Sequence, residues 1–198
     1  MDNEELSGNF DKVTDEELVS RFKSGDHSSF INLVDRYKKG LYGMFYRVLR
    51  NQADAEDLTQ EVFLKAYINL NGFREESSFK TWLYRIGINL ASNFKKSGRY
   101  NREILDNSLT EFNSKSQPVF IKNLIEKDQT RLLSKAIKSL PTKQRVTLSL
   151  RIDKELKNHE IAEILDCPIG TVKANLFHAI NNLREKFKKM GINSFKEL

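Results

Sequence analysis

HEIAEILDCPIGTVKANLFHAI, His159–Ile180, reads as two helices joined by a tight turn. Pro168 stands where the second helix starts, a place where its missing N–H costs nothing. Cys167 is then the expected N-cap, a weaker one than serine or aspartate. At about 100° per residue, Ile169, Val172, Leu176, Ile180, Leu183 and Phe187 share one face and should pack on Ile161, Ile164 and Leu165. The other face carries Thr171, Ala174, Asn175, His178, Asn181 and Asn182, flanked by Lys173 and Phe177. From Cys167 through Leu183 there is no Asp or Glu. Small and polar groups without carboxylates suit a helix entering a major groove. Lys173 would then meet phosphate, Asn175, His178 and Asn181 base edges, and Phe177 a thymine methyl or the sugar wall. The same pattern also fits an ordinary helical hairpin with a neutral exposed face.

About a hundred residues upstream, DAEDLTQEVFLKAY (Asp54–Tyr67) shows two faces. Leu58, Val62 and Ala66 step by four and can pack inward. Asp57, Glu61, Leu64 and Ile68 follow another line, with Gln60 beside it. An acidic stripe running into leucine and isoleucine suits docking on a basic partner helix. On spacing alone the favoured reading is a helix whose Leu64 and Ile68 bury against a neighbour and leave the acids solvated. In FKTWLYRIGINLASNFKK (Phe79–Lys96), Leu83, Ile86, Leu90 and Phe94 form an apolar face, with Gly87 allowing close approach. Trp82, Arg85, Asn89, Asn93 and Lys96 gather opposite. An exposed Trp among such groups is a stacking platform beside backbone-binding cations, extended by Phe73, Arg74, Phe79 and Lys80. Such a surface can hold an unstacked base. Trp82 as a core residue with solubilising cations around it is the competing reading.

Around these stretches the chain reads as all-α. Nine glycines and three prolines in 198 residues, with helical rather than alternating periodicity, favour helices throughout. TDEE at Thr14–Glu17 fits a capping box before Leu18, Val19 and Phe22. Helices are expected from about Ser28 to Leu49, from after Asn51–Asp54 to about Leu70, and from near Phe79. The pattern dissolves after Lys95 and resumes at Leu132, so residues 97–127 read as a tether between two small helical domains. The net charge is +6, and it is uneven. Up to Gly72 acids outnumber bases 13 to 9, and beyond it bases outnumber acids 24 to 14. With pI ≈ 9.3, this points to an acidic protein-facing end and a basic remainder drawn to phosphates.

Several classes are disfavoured. One cysteine, Cys167, forbids an internal disulfide, and with three scattered histidines it argues against a metal site. No cofactor is expected. No apolar run approaches the ~20 residues of a membrane span, and the acidic MDNEELSGNF is no signal peptide. A cytoplasmic location is therefore expected. No Ser-His-Asp or Cys-His set, acid pair or phosphate-cradling glycine loop is visible, so enzymatic activity is not expected. A free-standing helix-turn-helix regulator would need a dimer surface, for which Phe195 and Leu198 supply only a weak C-terminal candidate.

FINLVDRY (Phe30–Tyr37), DAEDLTQEVFLKAY, FREESSFKTWLYRIGINLASNF (Phe73–Phe94), LPTKQRVTLSLR (Leu140–Arg151) and EIAEILDCPIGTVKANLFHAINNLR (Glu160–Arg184) resemble, in order and spacing, bacterial RNA polymerase sigma factors of the extracytoplasmic-function (ECF) group. The resemblance implies sigma region 2 over residues 12–97, a flexible linker over 98–127 and helix-turn-helix sigma region 4 over 128–190. It implies that Asp54, Asp57, Gln60, Glu61 and Leu64 grip the coiled coil of core RNA polymerase's largest subunit, with region 4 near its flap. Phe73, Lys80, Trp82, Arg85, Asn89, Asn93 and Lys96 would read the −10 element of promoter DNA. Thr171, Lys173, Ala174, Asn175, Phe177 and His178 would read the −35 element. Phosphate contacts would come from Lys80, Arg85, Lys95, Lys96, Arg99 and Lys173. Family members often carry arginine where Asn175 and His178 stand, which implies a weaker or different −35 contact. The glycine and serine-type cap usual before the helix pair are replaced by Glu155 and Lys157, which moves the expected cap to Asn158. No added sensory domain is expected after the helix pair, and control would fall to an anti-sigma factor.

Overall fold

The computed structural model describes residues 13–96, 132–133, 135–152 and 156–189. The expected tether lies outside the described residues. α1 (Asp15–Lys23) starts where Thr14 Oγ1 accepts the Glu17 N–H at 3.2 Å. Its first turn holds Asp15, Glu16 and Glu17, favourable at the positive end of the helix dipole. Leu18, Val19 and Phe22 face inward. The Glu17 carboxylate pairs forward with Arg21, so only half of the expected capping box forms.

α2 (Ser29–Leu49) buries Phe30, Leu33, Tyr37, Leu41, Met44, Phe45, Val48 and Leu49 and ends on Arg50 in the left-handed region. Arg36 and Tyr37 both donate to Asp15, fastening α1 to α2. α3 (Gln52–Asn69) is capped by Asn51, whose side chain accepts the Asp54 N–H at 3.3 Å. It buries Leu58, Val62 and Ala66, as their spacing predicts, together with Ala55 and Phe63. A 3-10 turn (Leu70–Gly72) and a loop lead to α4 (Phe79–Lys96), where Ser78 Oγ accepts the Thr81 N–H at 3.1 Å. A Cβ on Gly87 would stand 3.2 Å from Phe45 Cζ and 3.6 Å from Leu41 Cδ2. Glycine there lets α4 settle on α2.

In the second half, residues 132–133 and 135–138 are helical. They precede α5 (Thr142–Ile152), α6 (Asn158–Ile164) and α7 (Ile169–Lys189). Arg145 is buried, and its Nη1 donates to the carbonyls of Leu140 at 2.9 Å and Lys138 at 3.2 Å. One cation thus ties the preceding turn to α5. α6 is capped at Lys157, whose N–H donates to Glu160 Oε2 at 2.6 Å, and Asn158 is the first helical residue rather than the cap. α7 begins at Ile169 on the Pro168 carbonyl, which accepts from Thr171 and Val172. The cap is therefore Pro168, not Cys167. The inward stripe is Val172, Ala179, Leu183 and Phe187 with Leu176 half-buried, whereas Ile169 is exposed.

The two halves touch. α5 packs on α2, and α6 packs on α4. Apolar side chains of the second half divide between two clusters. Ala136, Ile137, Leu140, Leu148, Ala179, Leu183 and Phe187 form their own. Leu150, Leu156, Ile161, Ala162, Ile164 and Val172 join the core of the first half. Across the seam Arg47 Nη2 donates to the Ser149 carbonyl at 3.1 Å. Lys138 Nζ sits 5.9 Å from the Tyr46 ring centroid. Burial there, with Arg50 and Lys135 nearby, holds the Lys138 ammonium below its ordinary pKa.

Candidate nucleic-acid interface and docking face

α3 presents Asp57, Gln60, Glu61, Leu64 and Ile68 to solvent. Of the two readings of Leu64 and Ile68, burial against a neighbour is the one that fails. They are 61% and 66% exposed. Tyr67 of α3 and Ile31 of α2 are exposed as well, and neither is legible as surface from spacing alone. The Tyr67 ring rests edge-on against Phe22 and Phe30 at 5.1 and 5.2 Å, so it is a braced, rigid anchor. An exposed apolar ridge with an acidic margin marks a protein-docking surface. Lys65 reaches Glu61 at 3.7 Å, a solvent-exposed pair that leaves the stripe's charge accessible. Asp54 departs from the expectation. It is buried next to the Asn51 cap and does not belong to the exposed stripe. A groove of about 400 Å³ between α2 and α3, lined by Val34, Tyr42, Gln60 and Phe63 among others, adjoins the face at Gln60.

On α4, Arg85, Asn89 and Asn93 are exposed on one side. Trp82 is only half-exposed. Its ring lies 4.9 Å from Phe73 and 5.8 Å from Phe79, so it completes an aromatic cluster instead of standing free in solvent. Large rings bury wherever apolar neighbours offer contact, and here Phe73 of the preceding loop and Phe79 at the start of α4 supply one each. Phe73 is itself buried, as is Lys80 at 6% exposure, with Nζ 5.9 Å from the Tyr84 ring centroid. Neither offers a surface for DNA as the chain stands. The side chains of Lys95 and Lys96, and Arg99, lie outside the described residues. Lys23 was not singled out by its sequence context. Its Nζ donates to the Phe73 carbonyl at 2.8 Å and to Glu75 at 2.6 Å, pinning the loop before α4 to α1.

On α7, Thr171, Lys173, Ala174, Phe177 and His178 are exposed, and Asn175 is half-buried. Phe177 is 62% exposed, with its ring 5.6 Å from that of His178. Asn182 donates to Gln144 at 2.8 Å, which ties α7 to α5 and removes Asn182 from the reading face. No acidic side chain interrupts this surface, so a phosphate backbone meets no fixed negative charge along it. Among the described residues, no group of His, Cys, Asp and Glu could hold a metal ion, and no helix is long and apolar enough to cross a membrane.

Residues 33–100 match the family model Sigma-70 region 2, and residues 130–183 match Sigma-70, region 4. An ECF RNA polymerase sigma-E factor of Haemophilus influenzae is 34% identical over 188 residues, 91% of this chain and 98% of that protein. The ECF RNA polymerase sigma-E factor of Escherichia coli is 33% identical over 91% of this chain and 97% of its own. Among solved structures, CnrH in complex with the cytosolic domain of CnrY shares the fold with a TM-score of 0.65 at 20% identity, covering 91% of this chain and 99% of that one. The sigma factor RpoE of Bartonella quintana, in complex with the anti-sigma factor NepR, gives a TM-score of 0.61 at 27% identity, covering 80% and 96%.

Proposed function

The chain belongs to the ECF group of sigma-70 RNA polymerase sigma factors, and from that membership we propose that it joins core RNA polymerase through α3 and reads promoter DNA through α4 and α7. It is a transcription initiation factor, not an enzyme. The observation that carries the α3 assignment is the ridge of Leu64, Ile68 and Tyr67 left in solvent beside Asp57, Gln60 and Glu61. An unsupported apolar ridge of this kind is stable in water only at a cost that a partner helix removes.

In this reading residues 12–97 act as the polymerase- and −10-binding part, 98–127 as the link and 128–190 as the −35 reader. Arg85 binds backbone phosphate, and Asn89 and Asn93 meet bases of the −10 element. The exposed edge of Trp82 offers a stacking surface, offsetting part of the few kcal/mol that unstacking a base costs. Lys173 anchors α7 to phosphate, and Phe177 and His178 contact the −35 major groove. Docking both DNA-reading parts on one polymerase makes two weak contacts act as a bivalent one, through effective concentration. RpoE of Bartonella quintana is held by an anti-sigma factor, and we propose the same class of regulator here. The working compartment is the cytoplasm, where the polymerase is. The test is reconstitution: purified chain added to core RNA polymerase starts transcription at one defined site. A core enzyme whose start sites are unchanged by the chain refutes the proposal.

A further inference from the structure

Lys23 ends α1, yet it meets the loop before α4 at three points. Its Nζ donates to the Phe73 carbonyl at 2.8 Å and to Glu75 Oε1 at 2.6 Å. The same ammonium lies 5.7 Å from the centroid of the Phe73 ring, within reach of a cation–π attraction. Glu75 has a φ of 59°, in the left-handed region, which a residue with a Cβ keeps only when its surroundings hold it. The pair with Lys23 supplies that hold. Between these two anchored residues Arg74 stands in solvent, paired only loosely with Glu76 at 3.9 Å.

The consequence falls on Trp82. The Phe73 ring lies 4.9 Å from Trp82 and 6.3 Å from Phe79, and Trp82 lies 5.8 Å from Phe79. Phe79 and Trp82 belong to α4, whereas Phe73 comes from the loop. Where the loop is held therefore fixes how Phe73 covers Trp82, and which edge of the indole is left half-exposed.

We propose that Lys23 is a positioning residue for −10 recognition: it clips Phe73 and Glu75 onto α1 and so sets the edge of Trp82 that receives an unstacked base. This rests on the −10 reading of α4 above. Lys23 itself touches no DNA. It acts through Phe73, and the half-exposed indole edge it leaves is already formed before any base arrives, so less ordering remains when the base stacks.

Trp82 is the one tryptophan of the chain, so its fluorescence reports on the cluster directly. K23M keeps an unbranched apolar stem and loses the donor. In the free full chain it should open Trp82 to acrylamide quenching and shift its emission to the red, with helix content unchanged. K23R keeps donors for both oxygens and should restore the wild-type spectrum. Bound to core RNA polymerase, K23M should hold a single-stranded oligonucleotide carrying the −10 element about tenfold more weakly than wild type, with polymerase affinity unchanged. That element is taken from the start site found by reconstitution. Wild-type quenching in K23M overturns the clip. So does undiminished −10 binding by a K23M chain whose Trp82 has become accessible, or a K23R chain as impaired as K23M. A chain that yields no start site sinks the functional reading instead, and quenching in the free chain still decides whether Lys23 places Trp82.

Discussion

Leu64 and Leu58 sit on the same helix six residues apart, and truncating each to alanine should have opposite consequences. Leu64 is 61% exposed and Leu58 is 4% exposed. L64A removes three carbons that touch little in the free chain, so it should change stability by less than about 0.5 kcal/mol. At about 2–4 °C per kcal/mol for a chain of this size, the thermal midpoint should move by under about 2 °C. If those carbons are desolvated against polymerase, their loss costs about 2 kcal/mol, a roughly 30-fold weaker Kd. L58A instead opens a cavity in the buried cluster of the first half and should cost about 2–5 kcal/mol of stability. That lowers the midpoint by about 4–20 °C. Fluorescence anisotropy of labelled chain with core polymerase, beside calorimetry of the free chain, reads both effects. If L64A destabilises as much as L58A, or binds polymerase as well as wild type, the docking assignment of α3 is wrong.

R145A would strip the donor from the Leu140 and Lys138 carbonyls and should cost about 2–4 kcal/mol, seen as early melting in calorimetry. Lys138 has a lowered pKa in the folded chain, first through burial and then through Arg50 and Lys135. The folded state thus binds fewer protons there than the unfolded one. Its penalty is full below the lowered value and relieved as pH rises from that value to 10.5. Wild type should therefore gain stability relative to K138M as pH rises through that window, and parallel denaturation midpoints across it would contradict the burial argument. K173A should reduce the slope of log K against log salt for −35 duplex binding by about one unit, and an unchanged slope removes the phosphate contact.

Much of the helical architecture was legible because its causes are short-range. Thr14 and Asn51 cap their helices with their own side chains, and Leu58, Val62 and Ala66 recur at the helical repeat. Errors at helix starts were of one residue, as with Pro168 in place of Cys167 and Lys157 in place of Asn158, because neighbouring positions compete for the same backbone groups. Ala179 was missed on the inward stripe of α7 because a small side chain carries little hydrophobic signal, yet it is fully buried. The open question at Leu64 and Ile68 could not be closed from spacing, since spacing tells which residues share a face and not whether anything covers it.

By itself the amino-acid order determined the helices, their apolar stripes and the family they spell out, since each depends on contacts within about one turn. Tertiary structure alone decided which stripes stay in water. Trp82 packs on Phe73 from the loop before α4 as well as on Phe79 of its own helix, Lys80 is buried beside Tyr84 one turn on, and Asp54 sank beside its cap. Ile86, Leu90 and Phe94 found cover in a core reached by helices some seventy residues further on. Burial is a property of pairs of surfaces, and the second surface of each pair comes from a distant part of the chain.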